Sequence, residues 1–502
     1  MIISGGLLLA FVITAMINTT LISDVVNASF EFSATYFGAF WQVLMLLTFL
    51  IALYIAFSKN GRVKLGKQDK PEMSTFKWLA IIMCTLLAGG GVFWAAAEPM
   101  YHFLSTPPMY GDVPAGTVEA IAPALTQSFL DWGFLAWAIL GTLSAIVLMY
   151  GHFHKGMPLK PRTLLYPIFG EKIMQKSVLG TLVDAFSIIA VAAGTIGPIG
   201  FLGLQAAYGL DALFGVPNTF LTQFLIIVGL ITIASISAVT GVHRGIQLLS
   251  RFNIIFTFIL IVLVLLLGPG AFIIDSFIGS FGVYMRDFFV VSLYRGDTGW
   301  LSFWTIFFWG WFIGYGPMMA IFISRISRGR TIRELVTAVA IIAPLVTNFW
   351  FSVVGGSGIF YELQNAGSVS GPLDAGGMPA AMIAIVEQMP YGTALAAAFL
   401  LVTIVFVATT SDSMSYTISM AVTGSGSPSS ALRVFWAVIM GAVAVSLLFI
   451  GGGSIDALQS FIVFTAVPVS LILLPTLWLA PRVAGELARE QGFTTTAKSN
   501  KG

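Results

Sequence analysis

Residues 307–317 read Phe-Phe-Trp-Gly-Trp-Phe-Ile-Gly-Tyr-Gly-Pro, six aromatic side chains and three glycines just ahead of a proline. Trp311 and Tyr315 stand at i and i+4, on one helical face, with Phe308 and Phe312 flanking them. The ring faces of Trp, Tyr and Phe attract a cation through the ring quadrupole, at about 0.5–2 kcal/mol per good contact. They suit a cation. An anion needs donors instead, and no Arg or Lys lies inside an apolar run. The backbone N–H groups of Gly89, Gly90 and Gly91, where LLAGGGVFWAAAEP (86–99) interrupts such a run, can supply them. Asp131, beside Trp132, can attract a cation or cap a helix, whereas Glu98, Asp184 and Asp412 are expected at span ends or in structural hydrogen bonds. All four histidines, His102, His152, His154 and His243, fall in loops or at span ends, and no His-Glu-x-x-His or paired-acid motif occurs, so an enzyme is not expected. A channel needs a continuous lined pore rather than a compact group of aromatics.

The elements that must position these groups are apolar helices. Of the 502 residues, 57% are hydrophobic and only 9% charged, where a soluble domain carries about 25% charge. Twelve runs, each long enough to cross roughly 30 Å of hydrocarbon as helix, are drawn at 2–22, 35–58, 78–98, 125–150, 179–206, 217–240, 252–269, 300–323, 334–358, 391–420, 434–452 and 457–480. The first run lacks a basic n-region and a cleavage site, and is kept as a span. Of the 24 lysines and arginines, only Arg286 and Arg295 fall on one side, so the positive-inside rule puts both termini in the cytoplasm. Cys84 is the only cysteine, which excludes an intramolecular disulfide.

Glycine interrupts the third run and the eighth, and helix breaks at matching places in two halves point to a transporter's midplane site. The expected fold is an all-α polytopic membrane protein with a five-plus-five inverted repeat, 73–270 and 300–480. Residues 1–72 are expected to form an N-terminal hairpin and basic loop, 271–299 an amphipathic surface helix with a re-entrant loop as the alternative, 359–390 an outer loop and 481–502 a short cytoplasmic tail.

FISRISRGRTIREL (322–335), with the aromatic stretch before it, resembles the signature of the betaine/carnitine/choline transporter family. FWAAAEPMYHFLSTPP (93–108), WGFLAWAILG (132–141), HKGMPLKPRTLLYPIFG (154–170), GLQAAYGL (203–210), RGIQLLS (244–250) and TTSDS (409–413) agree in order, so the likeness runs from about 75 to 480. It implies a leucine-transporter-like fold, usually a homotrimer, in the plasma (inner) membrane. Such a protein carries small zwitterionic or cationic onium compounds, here glycine betaine, choline, carnitine or dimethylsulfoniopropionate, and needs no cofactor and no nucleic acid. Carried over residue by residue, the aromatic box is Trp311, Phe312 and Tyr315 with Trp132 and Trp137, and Phe93 is a further wall. Phe312 and Tyr315 replace tryptophans of the family pattern, and Leu140 a tyrosine. Sodium, the implied coupling ion, would take the carbonyls of Cys84, Leu87 and Phe406 and the hydroxyls of Thr409 and Thr410, with Thr195 as a ligand of a second site. Sodium-independent exchangers of the carnitine-antiporter type carry an arginine where this chain has Asn253, which favours symport; exchange is the alternative.

Overall fold

With no water in hydrocarbon to satisfy backbone groups, an apolar run closes its hydrogen bonds within itself as a helix. The computed structural model describes residues 2–87, 91–240, 243–424, 428–453 and 455–493. Among those residues it is helix and turn, with one isolated β-bridge between Lys64 and Thr331. The principal helices are α1 (Ile2–Ile17), α2 (Thr19–Phe57), α3 (Thr75–Leu87), α4 (Gly91–Leu104), α5 (Ile121–Trp132), α6 (Phe134–Gly141), α7 (Val178–Phe214), α8 (Phe220–Thr240), α9 (His243–Leu267) and α10 (Gly270–Ser292). The second half contributes α11 (Thr298–Phe303), α12 (Thr305–Ile326), α13 (Ala343–Gln364), α14 (Gly392–Thr423), α15 (Ser430–Ile450), α16 (Asp456–Leu473) and α17 (Thr476–Glu490). Among the described residues nine helical segments are long and apolar enough to cross a bilayer, or ten if the pair 251–267 and 270–292, bent by 105°, is one span. The chain is a multi-pass α-helical membrane protein.

Several boundaries differ from the hydropathy reading, each for a local reason. The run drawn at 2–22 stops at Ile17, because the Asn18 side chain accepts from Leu21 N–H and caps a new helix. That helix, α2, is 39 residues long and begins well before residue 35. The run drawn at 125–150 is broken at Gly133 (φ −94°, ψ −134°), so that α5 ends on Trp132. The stretch 359–390 holds two short helices, Ser370–Gly376 and Ala381–Glu387. Glu362 anchors the first by accepting from the N–H groups of Gly367, Val369 and Ser370 at 2.7–2.9 Å. At the C-terminus α17 crosses the boundary drawn at 480, because Leu479, Val483 and Leu487 recur at helical spacing and are buried. Gln491 then pairs with the Lys64 N–H and C=O at 2.9 and 2.8 Å.

The largest difference concerns the eighth run. Gly310, Gly314, Gly316 and Pro317 do not interrupt it, for α12 is continuous through all four; the bend lies earlier, at Trp304 (φ −104°, ψ −91°). Two of the glycines instead let neighbours approach. A Cβ at Gly310 would sit 2.8 Å from the Trp41 ring, and one at Gly316 2.7 Å from Leu473 Cδ1.

α10 buries Ile273, Ser280, Tyr284, Phe288 and Val291 on one face, and its other face exposes Ile278, Met285, Phe289 and Val290 together with Asp275 and Arg286, so the outer face mixes apolar and charged groups.

Arg330 ties the 322–335 signature to the segment preceding α3. Its guanidinium donates to Thr75 Oγ1 (2.9 Å), Met73 O (2.8 Å) and Glu334 Oε1 (3.2 Å), and lies 4.6 Å over the Trp78 ring. A lysine keeps the charge but not the planar fork. Arg330→Lys is therefore expected to destabilise by about 1–2 kcal/mol, one or two of these hydrogen bonds, read as a lowered thermal midpoint in detergent.

Candidate functional site

The aromatic face of α12 is seated on α7. Trp311 Nε1 donates to Gly194 O at 3.0 Å, and the Tyr315 hydroxyl lies 3.2 Å from Thr195 Oγ1, which itself donates to Val191 O at 2.8 Å. Gly194 is what permits this seat. A Cβ there would lie 2.3 Å from Tyr315 Cε2 and 3.2 Å from Trp311 Cδ1.

From α5, the Trp132 ring stands across two near-parallel walls. Its centroid is 5.8 Å from Trp311 at 80° and 5.3 Å from Phe312 at 86°, while Trp311 and Phe312 lie 6.1 Å apart at 18°. Phe308 adds a tilted contact to Trp132 at 5.1 Å. Phe93 reaches this group through Phe201, which stacks on Phe93 at 5.6 Å and meets Trp311 at 5.8 Å. Trp137 stands apart: the Gly133 break carries it onto α6, its Nε1 donates to Thr347 Oγ1 at 3.0 Å, and no ring contact joins it to the other box aromatics among the described residues. Trp304 is buried at the bend, packed on His102 with centroids 4.5 Å apart.

Trp132 is held from behind. Its Nε1 donates to Glu98 Oε2 at 2.7 Å, and Glu98 lies beside His102 and Asp131. Gln127 Nε2 donates to Asp131 Oδ2 and to Thr305 Oγ1, both at 3.0 Å. Glu98, His102 and Asp131 are buried at 1% exposure or less. Asp184 and Asp412 make structural pairs, with Arg162 at 2.7 Å and Arg433 at 2.9 Å.

Of the groups read as anion donors, Gly89 and Gly90 lie outside the described residues. Gly91 heads α4, and its carbonyl accepts from Trp350 Nε1 at 2.9 Å. Of the groups read as sodium ligands, Cys84 and Leu87 are in the last turn of α3, their side chains lying outside the described ones. Thr409 Oγ1 is 2.9 Å from Val405 O and 3.1 Å from Phe406 O, and Thr410 is buried next to it. A cavity of about 170 Å³, lined by residues that include Met83, Val92, Thr257, Trp350 and Phe406, brings α3, α4, α9, α13 and α14 together. Close by on α9, both amide atoms of buried Asn253 and the Thr257 hydroxyl have no hydrogen-bond partner among the described residues.

Gly194, Phe201 and the hold of Glu98 on Trp132 were not read as site features from sequence. The available signal for the first was the spacing of Gly194, Gly197 and Gly200, which puts small residues along one side of α7.

A family model described as the betaine/carnitine/choline family transporter matches residues 1–489. The chain belongs to this family. Members include glycine betaine transporter 2 of Vibrio parahaemolyticus, 56% identical over 491 residues that cover 98% of this chain and 90% of the relative. An osmo-independent choline transporter of Acinetobacter baylyi is 33% identical, covering 87% of this chain and 84% of the relative. An ectoine/hydroxyectoine transporter of Virgibacillus pantothenticus is 32% identical, covering 89% and 88%. This betaine/carnitine/choline family member is thus a transporter rather than an enzyme.

Proposed function

We propose that the protein is a sodium-coupled symporter of a zwitterionic onium solute, with glycine betaine the first candidate and choline, carnitine and dimethylsulfoniopropionate the others. The observation that carries this is the grouping of Trp132, Trp311 and Phe312, three rings from two helices around one point. Each ring edge is positive and each face negative. Trp132 stands nearly perpendicular to the other two rings, at 80° and 86°, and a trimethylammonium head would pack against ring faces of this group. The high identity to a glycine betaine transporter supports the choice of solute.

Sodium is supported by Phe406 O and the Thr409 and Thr410 hydroxyls on one stretch of α14, and by Asn253 and Thr257 nearby, whose polar side-chain atoms have no hydrogen-bond partner among the described residues. An asparagine at 253 leaves space for an ion where an exchanger has an arginine. Threonine hydroxyls in membrane helices commonly bond back to the preceding turn, so the ion must draw Thr409 from Val405. In the proposed cycle sodium orders α3 against α14, the onium head docks on Trp311, and the helix bundles rock between outward-open and inward-open states. The functional unit is a homotrimer in the inner membrane with both termini cytoplasmic.

The test is uptake of glycine betaine into proteoliposomes with and without a sodium gradient. Unmutated protein is expected to require sodium. Replacing Thr409 and Thr410 together by alanine removes two ion contacts, each comparable to a hydrogen bond to a charge, and is expected to raise half-saturating sodium on the order of tenfold or more. Uptake indifferent to sodium in the unmutated protein would make exchange the better reading.

A further inference from the structure

Behind the aromatic box lies a group of titratable side chains that substrate binding does not use. Glu98 and His102 are on α4, one turn apart, and Asp131 is on α5; one ligand atom from each lies within 4.8 Å of the others. All three are buried. Among the described residues three of their atoms, Glu98 Oε1, His102 Nε2 and Asp131 Oδ1, have no hydrogen-bond partner, and His102 Nε2 is 3.5 Å from Glu98 Oε1. Among the described residues the other oxygens are engaged by neutral donors only: Glu98 Oε2 by the Trp132 indole and Asp131 Oδ2 by the Gln127 amide, with the Ser128 hydroxyl beside Glu98 and the Thr305 hydroxyl beside Asp131.

Among the described residues the surroundings supply no counter-charge. Facing the cluster, α12 offers Thr305, α11 and the bend offer Trp300 and Trp304, and α13 offers Asn348 beside Gly133. The one titratable group reaching it from α10 is the Tyr284 phenol, while Arg286 on that helix is paired with Asp287 at 2.8 Å. Glu387, Asp374 and Tyr101, on or near elements packed against α4, are partly or fully solvent-accessible. Two carboxylates side by side in a low-dielectric site cannot both ionise cheaply, and buried charges are found paired. Ionisable groups within a membrane span mark ion or proton paths by default.

We propose that Glu98, Asp131 and His102 form a buried proton-binding site that holds one exchangeable proton among Glu98 Oε1, Asp131 Oδ1 and His102 Nε2, and that reports its occupancy to the substrate site through Trp132. The ionised form of Glu98 accepts the indole N–H as a charge-assisted hydrogen bond, which weakens when Glu98 takes the proton. The deprotonated cluster also attracts a cation held against the opposite side of Trp132. Both effects have the same sign. Onium binding releases the proton, and by linkage a rise in proton concentration lowers onium affinity. This coupling rests on the onium reading of the aromatic box; the proton site itself does not.

Infrared spectra of the purified protein at neutral pH, recorded without any solute, are expected to show the carbonyl-stretch band of a protonated buried carboxyl that is lost in the Glu98→Gln, Asp131→Asn double variant. Identical spectra would overturn the site. Should the double variant fail to fold, each single variant must weaken or move the band, and neither doing so has the same force. Bound metal in the purified protein that chelation removes, with no carboxyl band before removal, would also overturn it. A second arm measures glycine betaine affinity by tryptophan fluorescence across pH. Affinity is expected to fall on the order of five- to tenfold on acidification, and in Glu98→Gln, which keeps a neutral acceptor for Trp132, to stay at the acidic value at every pH. A flat profile in unmutated protein that binds betaine overturns the coupling. No betaine binding with the band present overturns the proposed function and leaves the proton site standing.

Discussion

Replacing Trp311 by alanine is expected to abolish saturable onium uptake in proteoliposomes. Trp311 sits at the centre of the aromatic group: it contacts Trp132, lies nearly parallel to Phe312, meets Phe201, and is pinned to α7 through Gly194 O. Losing one desolvated cation–aromatic contact costs about 2 kcal/mol, roughly 30-fold in affinity, and the emptied volume lets Trp132 and Phe312 collapse or admits water to the cation. Removing a buried tryptophan also costs about 3–5 kcal/mol of stability, so Trp311→Phe is the informative companion. It keeps a ring face and most of the volume while losing the Nε1 bond to Gly194. An intermediate affinity is expected there, with a thermal midpoint close to that of the unmutated protein. Near-normal uptake by the alanine variant would remove Trp311 from the site.

The second large effect is expected from a single methyl group. Gly194→Ala places a Cβ 2.3 Å from Tyr315 Cε2 and 3.2 Å from Trp311 Cδ1. Tyr315 cannot yield freely, because its hydroxyl is held by Thr195. Either that contact breaks or α7 and α12 move apart, and overpacking of this kind costs about 1–3 kcal/mol. The rings of the box then lose their mutual geometry, and uptake is expected to fall at least on the order of tenfold. Gly314→Ala is the control on the same pair of helices. Its Cβ would sit 3.5 Å from Ala190 Cβ, an ordinary contact, and transport at close to the unmutated rate is expected. Equal losses in the two variants would mean that α7 and α12 tolerate no added volume anywhere, and the specific seat at Gly194 would lose its support.

Hydropathy and the i, i+4 spacing of Trp311 and Tyr315 were sufficient to read an α-helical membrane protein with an aromatic face, because both properties are local. The bend at Trp304 and the break at Gly133 were not legible in the same way. A glycine in an apolar run either interrupts the helix or admits a neighbour, and the sequence alone does not say which. Gly310 and Gly316 admit Trp41 and Leu473, whereas Gly133 ends a helix and so turns Trp132 toward Trp311 while carrying Trp137 away toward Thr347. The hold of Glu98 on Trp132 spans 34 positions in the chain, and only the packing of α4 on α5 brings the pair to 2.7 Å. The span ends moved for a different reason. Asn18 and Glu362 satisfy backbone N–H groups with side-chain oxygens, a polar effect to which a hydropathy window is blind.

The claim that most needs testing is that the aromatic box recognises positive charge rather than shape. Glycine betaine and 3,3-dimethylbutanoate have the same outline and the same carboxylate, and differ in that a neutral carbon replaces the quaternary nitrogen. Equilibrium binding of both to the purified transporter, at saturating sodium, separates the two possibilities. With two or more cation–aromatic contacts at about 0.5–2 kcal/mol each, glycine betaine is expected to bind at least on the order of tenfold more tightly than its carbon analogue. Equal affinities, or tighter binding of the neutral-headed compound, would contradict cation recognition by Trp132, Trp311 and Phe312.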